Sequence, residues 1–224
     1  MAPADDERDP EDPTLAENVY EGLVSLILSN ELPADARVNI NALAKRLDVS
    51  PTPIREALTR LEDAGLVRKT HLKGYRTTPV LTARELADLY DLRQLLEPVS
   101  ARRAAERATD TEREALAAEL HRYADAPRSA DLTDYARFSE HDALLHQLIA
   151  RASGNSAVAR ALERTHFHLH AFRLAYDVET GEATLEEHVR IVETILSGDG
   201  AGAEAAMAEH LRTAQERLAT RTRG

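Results

Sequence analysis

Apolar side chains recur at every third or fourth position along most of this chain, which is the spacing that predicts amphipathic helices. The first run begins at Leu15 and extends to about Ser29. It follows Thr14 and Glu17, which match the Ser/Thr-x-x-Glu pattern of a capping box. The sequence therefore predicts a first helix whose amino-terminal N–H groups are satisfied by its own side chains.

Two further helices and a hairpin are predicted after this helix. The second helix is short and begins at Asn41 as its cap. A tight turn leads to the third, where Ser50 is the cap and Pro51 occupies the first helical position, at which a missing N–H costs nothing. Gly65 ends it as the residue after the C-cap. Residues 66–78 are polar and basic with a glycine at a turn, and they predict a β-hairpin.

The rest of the chain is predicted to be helical after a linker at 79–81, with Pro98 expected to kink the first helix, which begins at Thr82. Further helices are predicted at about 109–123, 131–152, 156–176, 184–197 and 201–220. No repeat of fixed length is present, which favours a bundle over a solenoid. The predicted fold is mainly α, with an N-terminal winged helix-turn-helix at 13–78 and a C-terminal all-α antiparallel helical bundle at 82–224.

Composition narrows the class of protein. Of the 224 residues, 43% are hydrophobic and only 4% are aromatic, which is typical of a helical protein and argues against a β-rich one. The absence of Cys excludes a disulfide framework and a Cys-ligated zinc. No apolar run approaches the ~20 residues of a membrane span. Residues 1–12 are acidic and lack the features of a signal peptide, so we expect a disordered tail, a cytoplasmic protein and no membrane partner.

Charge is distributed unevenly along the chain. The formal net charge is −11, yet residues 37–80 hold nine Lys and Arg against four Asp and Glu. Residues 1–36, by contrast, hold one Arg against ten Asp and Glu. Binding to phosphate depends on the local field and not on the sum over the chain. The acidic average therefore hides a basic segment, which coincides with the predicted winged helix-turn-helix and suits double-stranded DNA.

A winged helix-turn-helix places its third helix in the major groove and its hairpin beside the backbone. Thr52, Arg55 and Thr59 lie opposite the apolar face of the third helix, and Arg55 suits a bidentate pair with guanine. Contacts to phosphates and the groove edge are expected from Lys45, Arg46, Arg68, Lys69, His71, Lys73 and Arg76. The pattern alone leaves open that these residues are the solvated face of a small helical domain.

The stretch INALAKRLDVSPTPIREALTRLEDAGLV, followed by HLKGYRTTPV, resembles the DNA-binding domain of GntR-family transcriptional regulators over about residues 14–80. The resemblance implies a transcriptional regulator that binds a palindromic operator and is therefore a homodimer. Pro51 stands where the family often has Arg, Ala34 where it often has Gly, and Asn41 where some relatives carry a basic residue. Arg55 is retained. The fold is expected to be the family's, while the operator sequence stays open.

Histidines in the predicted bundle form the second informative pattern. Asp142 and His146 are four residues apart on one helix, and His188 and His210 lie on the last two helices. One Asp and three His side chains form an N3O ligand set that suits a divalent metal ion such as Zn²⁺, Ni²⁺ or Mn²⁺. From spacing alone, isolated surface or core histidines remain the more frequent alternative.

A rival pair lies on the predicted helix at 156–176. His166 and His170 are four residues apart and follow Glu163 by one turn, but a di-iron bundle needs a second Glu-x-x-His motif that the chain lacks. Roles in solvent or at interfaces are expected for the histidines His121, His141 and His168.

The segments FSEHDALLHQLIARASGN, EEHVRIVETILSGD and AEHLR resemble the effector domain of the FadR-like GntR branch, the FCD domain. This resemblance implies that the Asp/His3 set holds the metal and that the chain groups with metal-binding members and not with acyl-CoA-binding ones. Arg93, in LRQLLEP, matches an Arg that the family often has near the pocket. It is expected to clamp a small carboxylate effector, or alternatively to form an i, i+4 salt bridge with Glu97.

We therefore expect a ligand-responsive DNA-binding repressor whose bundle binds a divalent metal, with Zn²⁺ favoured, and a small organic acid. Residues 79–81 and the start of the next helix are the expected hinge. Three alternatives use the same Asp/His3 site, namely a metal-dependent hydrolase, a direct metal sensor and a structural metal. A hydrolase needs a base at the metal. His141 and Glu187 adjoin ligands in sequence and are expected to point to other helix faces.

Overall fold

The computed structural model describes residues 14–124, 132–174 and 178–219. The chain divides into two compact units, one ending at Pro79 and the other beginning at Val80. The predicted tail at 1–12 and the predicted cap Asp131 lie outside the described residues. In chain order the elements are α1 (Leu15–Leu28), α2 (Ile40–Arg46), α3 (Pro51–Asp63), β1 (Val67–Thr70), β2 (Gly74–Thr77), α4 (Ala83–Arg107), α5 (Asp110–Ala124), α6 (Leu132–Ala152), α7 (Ser156–Glu163), α8 (Phe167–Leu174), α9 (Val178–Leu196) and α10 (Gly200–Ala219).

The helices of the first unit begin at polar caps. Thr14 forms the predicted capping box of α1 with Glu17. The prediction for α2 was wrong by one half-turn, because Asn39 and not Asn41 is its cap, and the Asn39 side chain accepts from the N–H of Ala42 at 3.1 Å. Asn is a favoured N-cap residue at either position, and the backbone conformation decides which of the two side chains reaches a free N–H.

The end of α3 fixes the approach of the hairpin. Gly65 has φ +71°, a left-handed conformation that glycine adopts without steric cost. The N–H of Leu66 bonds the carbonyl of Leu61 at 2.9 Å and the N–H of Gly65 bonds that of Glu62 at 3.0 Å, which is the Schellman pattern. β1 and β2 then pair antiparallel. The core of the unit contains Leu23, Ile54, Leu58, Leu61 and Leu66. This is a winged helix-turn-helix, as predicted.

The second unit is a helical bundle, also as predicted. Its first helix, α4, runs unbroken through Pro98 and packs against α6, α9 and α10. The apolar core includes Leu86, Leu116, Leu145, Ile149, Ile191, Ile195, Met207 and Leu211. No helix among the described residues is both long and apolar enough to cross a membrane.

Two helix boundaries in this unit differ from the prediction. The helix expected at 156–176 is two helices, α7 and α8, separated at His166, whose φ of +44° no helix can accommodate. The helix expected to start at Thr184 starts at Val178, so Thr184 is not its cap. The Thr184 hydroxyl instead accepts from Arg217 Nη2 at 3.2 Å. A Thr-x-x-Glu pattern inside a helix is indistinguishable by sequence from one at its start.

Candidate metal centre and DNA-binding surface

Three helices bring the predicted metal ligands together. Asp142 and His146 from α6, His188 from α9 and His210 from α10 each offer one ligand atom, and these atoms all lie within 4.8 Å of one another. His146 Nε2 is 3.2 Å from His210 Nε2. Asp142 Oδ1 is 3.7 Å from His146 Nε2 and 3.5 Å from His188 Nε2. Ligand atoms about 2.0–2.2 Å from one shared ion have separations of this size, so the cluster is compatible with metal binding.

Burial favours the form of these side chains that binds metal. His188 and His210 are 0% and 2% exposed, and burial lowers the pKa of both imidazoles, so they are neutral at pH 7. Only neutral imidazole offers a lone pair to an ion. His188 Nε2 is buried without a hydrogen-bond partner. Such an atom costs about 1–3 kcal/mol, and coordination would remove that cost.

Carboxylates hold two of the imidazole ligands from behind. His210 Nδ1 donates to Glu187 Oε2 at 2.8 Å, and His146 Nδ1 donates to Glu97. Because a carboxylate only accepts, the proton stays on Nδ1 and the Nε2 lone pair is directed into the cluster. Burial would raise the pKa of Glu187, but hydrogen bonds from Arg217 and His210 outweigh burial and lower the pKa to about 2. These carboxylates therefore remain charged acceptors.

The third imidazole ligand is held by a chain of two residues. His188 Nδ1 lies 3.0 Å from His141 Nε2, and His141 Nδ1 lies 2.9 Å from Glu119 Oε1. Glu119 is itself held by Arg122, with both N–O distances at 2.9 Å, and the His141 ring stacks on Tyr123 at 4.3 Å between centroids. Glu119 accepts a hydrogen bond from His141 Nδ1–H, so His141 Nε2 is unprotonated and accepts a hydrogen bond from His188 Nδ1–H. The Nε2 of His188 is thereby left free for an ion.

Arg93 lies against the same cluster. Its side chain is buried and forms an ion pair with Glu97, which is the salt-bridge alternative considered above, while its Nη2 is 3.3 Å from His146 Nδ1. The guanidinium carbon also lies 3.5 Å from the centroid of the Phe167 ring. Burial would raise the pKa of Glu97, but Arg93 and His146 outweigh it and hold that pKa well below its usual value. The pair thus borders the ligands as two opposite charges.

Two expectations about outer residues were wrong. His141 is fully buried and not a solvent or interface residue. His141 and Glu187 do not point away from the centre, since each contacts a ligand imidazole. One sequence feature could have revealed His141, because it shares the i, i+4, i+8 spacing of Leu145 and Ile149, the buried face of α6. Glu119 carried the same kind of signal, since it lies three residues after Leu116 and four before Tyr123 on the buried face of α5.

The rival histidines do not form a second centre. The described residues contain one cluster with metal-ligand geometry, and it is the Asp/His3 set. His166 occupies the break between α7 and α8. Glu163, which precedes it by one turn, accepts a hydrogen bond from Gln147 Nε2 at 2.9 Å.

The base-reading residues predicted on α3 are exposed. Thr52, Arg55 and Thr59 lie opposite the buried Ile54 and Leu58. Thr59 Oγ1 donates to the Arg55 carbonyl at 3.0 Å, so this hydroxyl turns back on its own helix. Arg55 makes no ion pair with any described residue. Its guanidinium is therefore available to an external acceptor.

The side chains predicted to contact phosphates differ in whether an acidic residue of the protein already pairs with them. Lys45, His71 and Lys73 are exposed, the last two at the turn between β1 and β2. Arg46 pairs with Glu31. Both Arg68 and Arg76 pair with the carboxylate of Asp35. The first three side chains, together with the exposed Lys69, whose Nζ lies 5.7 Å from the centroid of the Tyr75 ring, face solvent without such a pair among the described residues.

A winged helix-turn-helix followed in one chain by a helical domain with a buried Asp/His cluster defines a two-domain DNA-binding regulator. Residues 15–77 match the family described as bacterial regulatory proteins, gntR family, and residues 88–213, more than half of the chain, match the FCD domain. The chain therefore belongs to the GntR family of bacterial transcriptional regulators, in the group that carries an FCD domain. Both resemblances stated from the sequence are confirmed.

Individual relatives agree with this assignment. HTH-type transcriptional regulator LutR of Bacillus subtilis is 29% identical over 219 residues, covering 86% of this chain and 96% of LutR. HTH-type transcriptional repressor RspR of Escherichia coli is 28% identical over 173 residues, covering 76% of this chain and 74% of RspR. The solved structure of E. coli McbR/YncC has the same fold, with a TM-score of 0.70 at 22% identity over 92% of this chain and 98% of that one. The relatives are regulators, which agrees with the expectation that this protein is not an enzyme.

Proposed function

We propose that this protein is a ligand-responsive repressor, which binds a palindromic operator as a homodimer and whose helical domain binds a divalent metal together with a small organic acid. The observation that carries the proposal is the buried Asp/His3 cluster, in which each imidazole is fixed by a group behind it, in the same chain as a basic winged helix-turn-helix. Two relatives are named as a repressor or a probable repressor, RspR and a regulator of D-xylose utilization in Paenarthrobacter nicotinovorans.

DNA recognition is assigned to three groups of side chains. Arg55 pairs with the O6 and N7 of a guanine, with Thr52 and Thr59 beside it at neighbouring base edges. The remaining contacts are to phosphates and to the adjacent groove edge, from Lys45, Arg46, His71 and Lys73. The exposure of these residues supports the assignment, and the unpaired Arg55 is its central member.

The metal is proposed to be held by Asp142, His146, His188 and His210. Three imidazoles and one carboxylate suit Zn²⁺, with Ni²⁺ or Mn²⁺ as alternatives. When bound, such an ion supplies a Lewis-acidic centre at which an effector carboxylate can bind. Arg93 supplies a second positive group for that carboxylate, supported by its contact with His146 at the edge of the cluster.

The effector must favour one conformation of the protein in order to change DNA affinity. Residues 79–81 and the start of α4 are the proposed hinge. A coupling free energy of about 1–3 kcal/mol, equivalent to roughly 5–150-fold in affinity, is enough for a switch. An effector carboxylate that binds Arg93 would compete with Glu97 for the guanidinium and could shift both side chains.

The test measures operator affinity with and without metal and acid. A duplex selected from random sequences by the full chain serves as the fluorescent probe, and carboxylates of two to six carbons are added to metal-loaded or chelated protein. We expect at least one acid to change the dissociation constant about fivefold or more in the metal-loaded protein only. An Asp142→Ala variant should bind the duplex without responding, while the exposed His121→Ala control should respond normally.

Each other outcome opposes a defined part of the proposal. A response that persists in Asp142→Ala contradicts the role of the cluster. The absence of a response to every acid contradicts the organic-acid effector. An equal response to metal alone identifies a direct metal sensor instead, and turnover of an acid by the metal-loaded protein identifies an enzyme.

A further inference from the structure

The outer face of α4 carries an exposed apolar stripe. Leu92, Leu95 and Val99 are 38%, 74% and 39% exposed, and their spacing of three and four residues places them on one side of the helix. The other side of the same helix is buried and carries Arg93 and Glu97, which border the candidate metal centre. Exposed aliphatic side chains that line up along a helix are a recurrent feature of association surfaces.

Charges flank this stripe in a definite order. Toward the amino terminus of α4 lie Arg84 and then Asp88, and toward its carboxyl terminus lie Arg102 and then Glu106. Continuing the three-and-four spacing, these residues belong to the same face as the stripe. Asp88 and Arg102 are each seven residues from Leu95, and Arg84 and Glu106 are each eleven residues from it. The face therefore has opposite charges at equal distances on the two sides of one leucine. Within one copy Arg84 lies 4.0 Å from Asp88, and Arg102 lies 3.0 Å from Glu106 and 3.5 Å from Glu204. Exposed pairs of this kind contribute little stability, so these side chains can exchange partners with a second copy.

Such an arrangement is complementary to a copy of itself turned end for end. If two α4 helices cross antiparallel at Leu95, Asp88 of one copy meets Arg102 of the other, both about 10 Å from the crossing point at 1.5 Å per residue. Arg84 of one copy likewise meets Glu106 of the other. A parallel pairing would instead bring like charges together.

We propose that this α4 face, from Arg84 to Glu106, is the contact surface between two copies of the chain in a two-fold symmetric dimer. The two-fold axis passes beside Leu95, so each copy contributes the same patch. This inference rests on the homodimer of the proposed function and names the surface that forms it. It also places the dimer contact and the Arg93–Glu97 pair on opposite sides of one helix.

The apolar part of the proposal is tested by Leu95→Glu in the full chain. We expect the dimer dissociation constant, measured by sedimentation equilibrium, to rise about 100-fold, because a buried interface leucine is replaced by a charge. Leu196→Glu, at an exposed leucine on α9, is the matched control and should leave the constant unchanged. Circular dichroism melts establish that both variants are folded.

The charges are tested by a swap that does not depend on loss of structure. Asp88→Arg and Arg102→Asp should each weaken self-association about 10-fold at low salt, because like charges then face each other. An equimolar mixture of these two variants should form a heterodimer close to wild-type affinity. The double variant carrying both changes should likewise self-associate with near wild-type affinity, since its opposite charges again face each other.

The outcomes separate this inference from the homodimer itself. A wild-type protein that is monomeric at every concentration contradicts both. A wild-type dimer that tolerates Leu95→Glu contradicts the α4 face alone, as does a pair of charge variants that associates no better when mixed than when separate.

Discussion

His141 Nε2 lies 3.0 Å from His188 Nδ1, so one ligand of the candidate centre is held by a second imidazole and not directly by a carboxylate. His141 Nδ1 in turn contacts the Glu119 carboxylate on a different helix, α5, so the charge that orients His188 acts through His141. The other two imidazole ligands each reach a carboxylate in a single step. His188 therefore depends for its orientation on a longer chain of hydrogen bonds than His146 or His210.

Removing the charge at the end of this chain should weaken metal binding. Glu119→Gln preserves size but replaces one acceptor oxygen by a donor group, and we expect the metal dissociation constant to rise about 10-fold. Competition with a chromophoric chelator measures the constant. Glu114→Gln, at an exposed position on the same helix, is the control. Equal affinities for the two variants would show that Glu119 does not position His188.

Loss of a proposed ligand should abolish stoichiometric binding. His210→Ala is expected to take up no metal, whereas wild type is expected to take up one ion per chain. Bound metal stabilises the native state by mass action, so the rise in the melting temperature on adding metal should also vanish. Elemental analysis after dialysis and calorimetry measure the two effects. His121→Ala keeps both if the site is the buried cluster, and a His210→Ala variant that still binds one ion would refute the ligand set.

The two kinds of DNA contact should respond differently to truncation. Arg55→Ala is expected to cost about 1–3 kcal/mol of discrimination at one base pair, because the bidentate pair with guanine is lost. Lys45→Ala should weaken binding to all sequences alike and lower the salt slope by about one. Anisotropy titrations on selected and mutated duplexes, over a range of salt, measure both. Arg151→Ala on α6 is the neutral control. An Arg55→Ala variant with unchanged base preference would remove Arg55 from base recognition.

The acid stability of the fold should depend on His168. Burial lowers the pKa of its imidazole to about 4, below the ~6.5 of an unfolded chain. The native state thus binds fewer protons, so the contribution of His168 to the unfolding free energy is complete above pH 6.5 and is lost as the pH falls toward 4. His168→Gln should lose about 3 kcal/mol less than wild type between pH 7 and 4.

Urea unfolding of both proteins in the presence of a chelator measures this difference. The chelator removes the pH dependence of metal binding from the comparison. Parallel stability curves for the two proteins would show that His168 does not titrate below its ordinary range.

The sequence predicted the elements and the clustering of Asp142, His146, His188 and His210 better than the boundaries and the outer contacts. The capping box at Thr82 lies at a true helix start, where the Thr82 N–H donates a hydrogen bond to Glu85 Oε2 at 2.9 Å. The identical pattern at Thr184 lies inside α9, where the preceding turn already supplies the acceptors. Local residue types are the same in the two cases. Tertiary packing decides between them, and it is not encoded in a window of four residues.

The ligands and their supporting groups were not equally predictable. Asp142 and His146 share a face by spacing, and the family pattern supplied His188 and His210. Glu119 contributes through a contact with a residue 22 positions away, His141, which depends on how α5 packs on α6. Its spacing from Leu116 and Tyr123 places it on the buried face of α5, but that spacing does not identify the residue it contacts. Long-range pairs of this kind follow from the packed bundle and not from periodicity.

The candidate centre draws side chains from five helices, with its inner groups on α6, α9 and α10 and its outer groups on α4, α5, α6 and α9. An ion held by Asp142, His146, His188 and His210 would tie α6, α9 and α10 together at one point, so it would act on this domain as a reversible cross-link. With the ion removed, the buried imidazoles would lose their shared partner and the helices would lose a common anchor. The occupancy of one small cluster would then set how cooperatively the entire bundle unfolds.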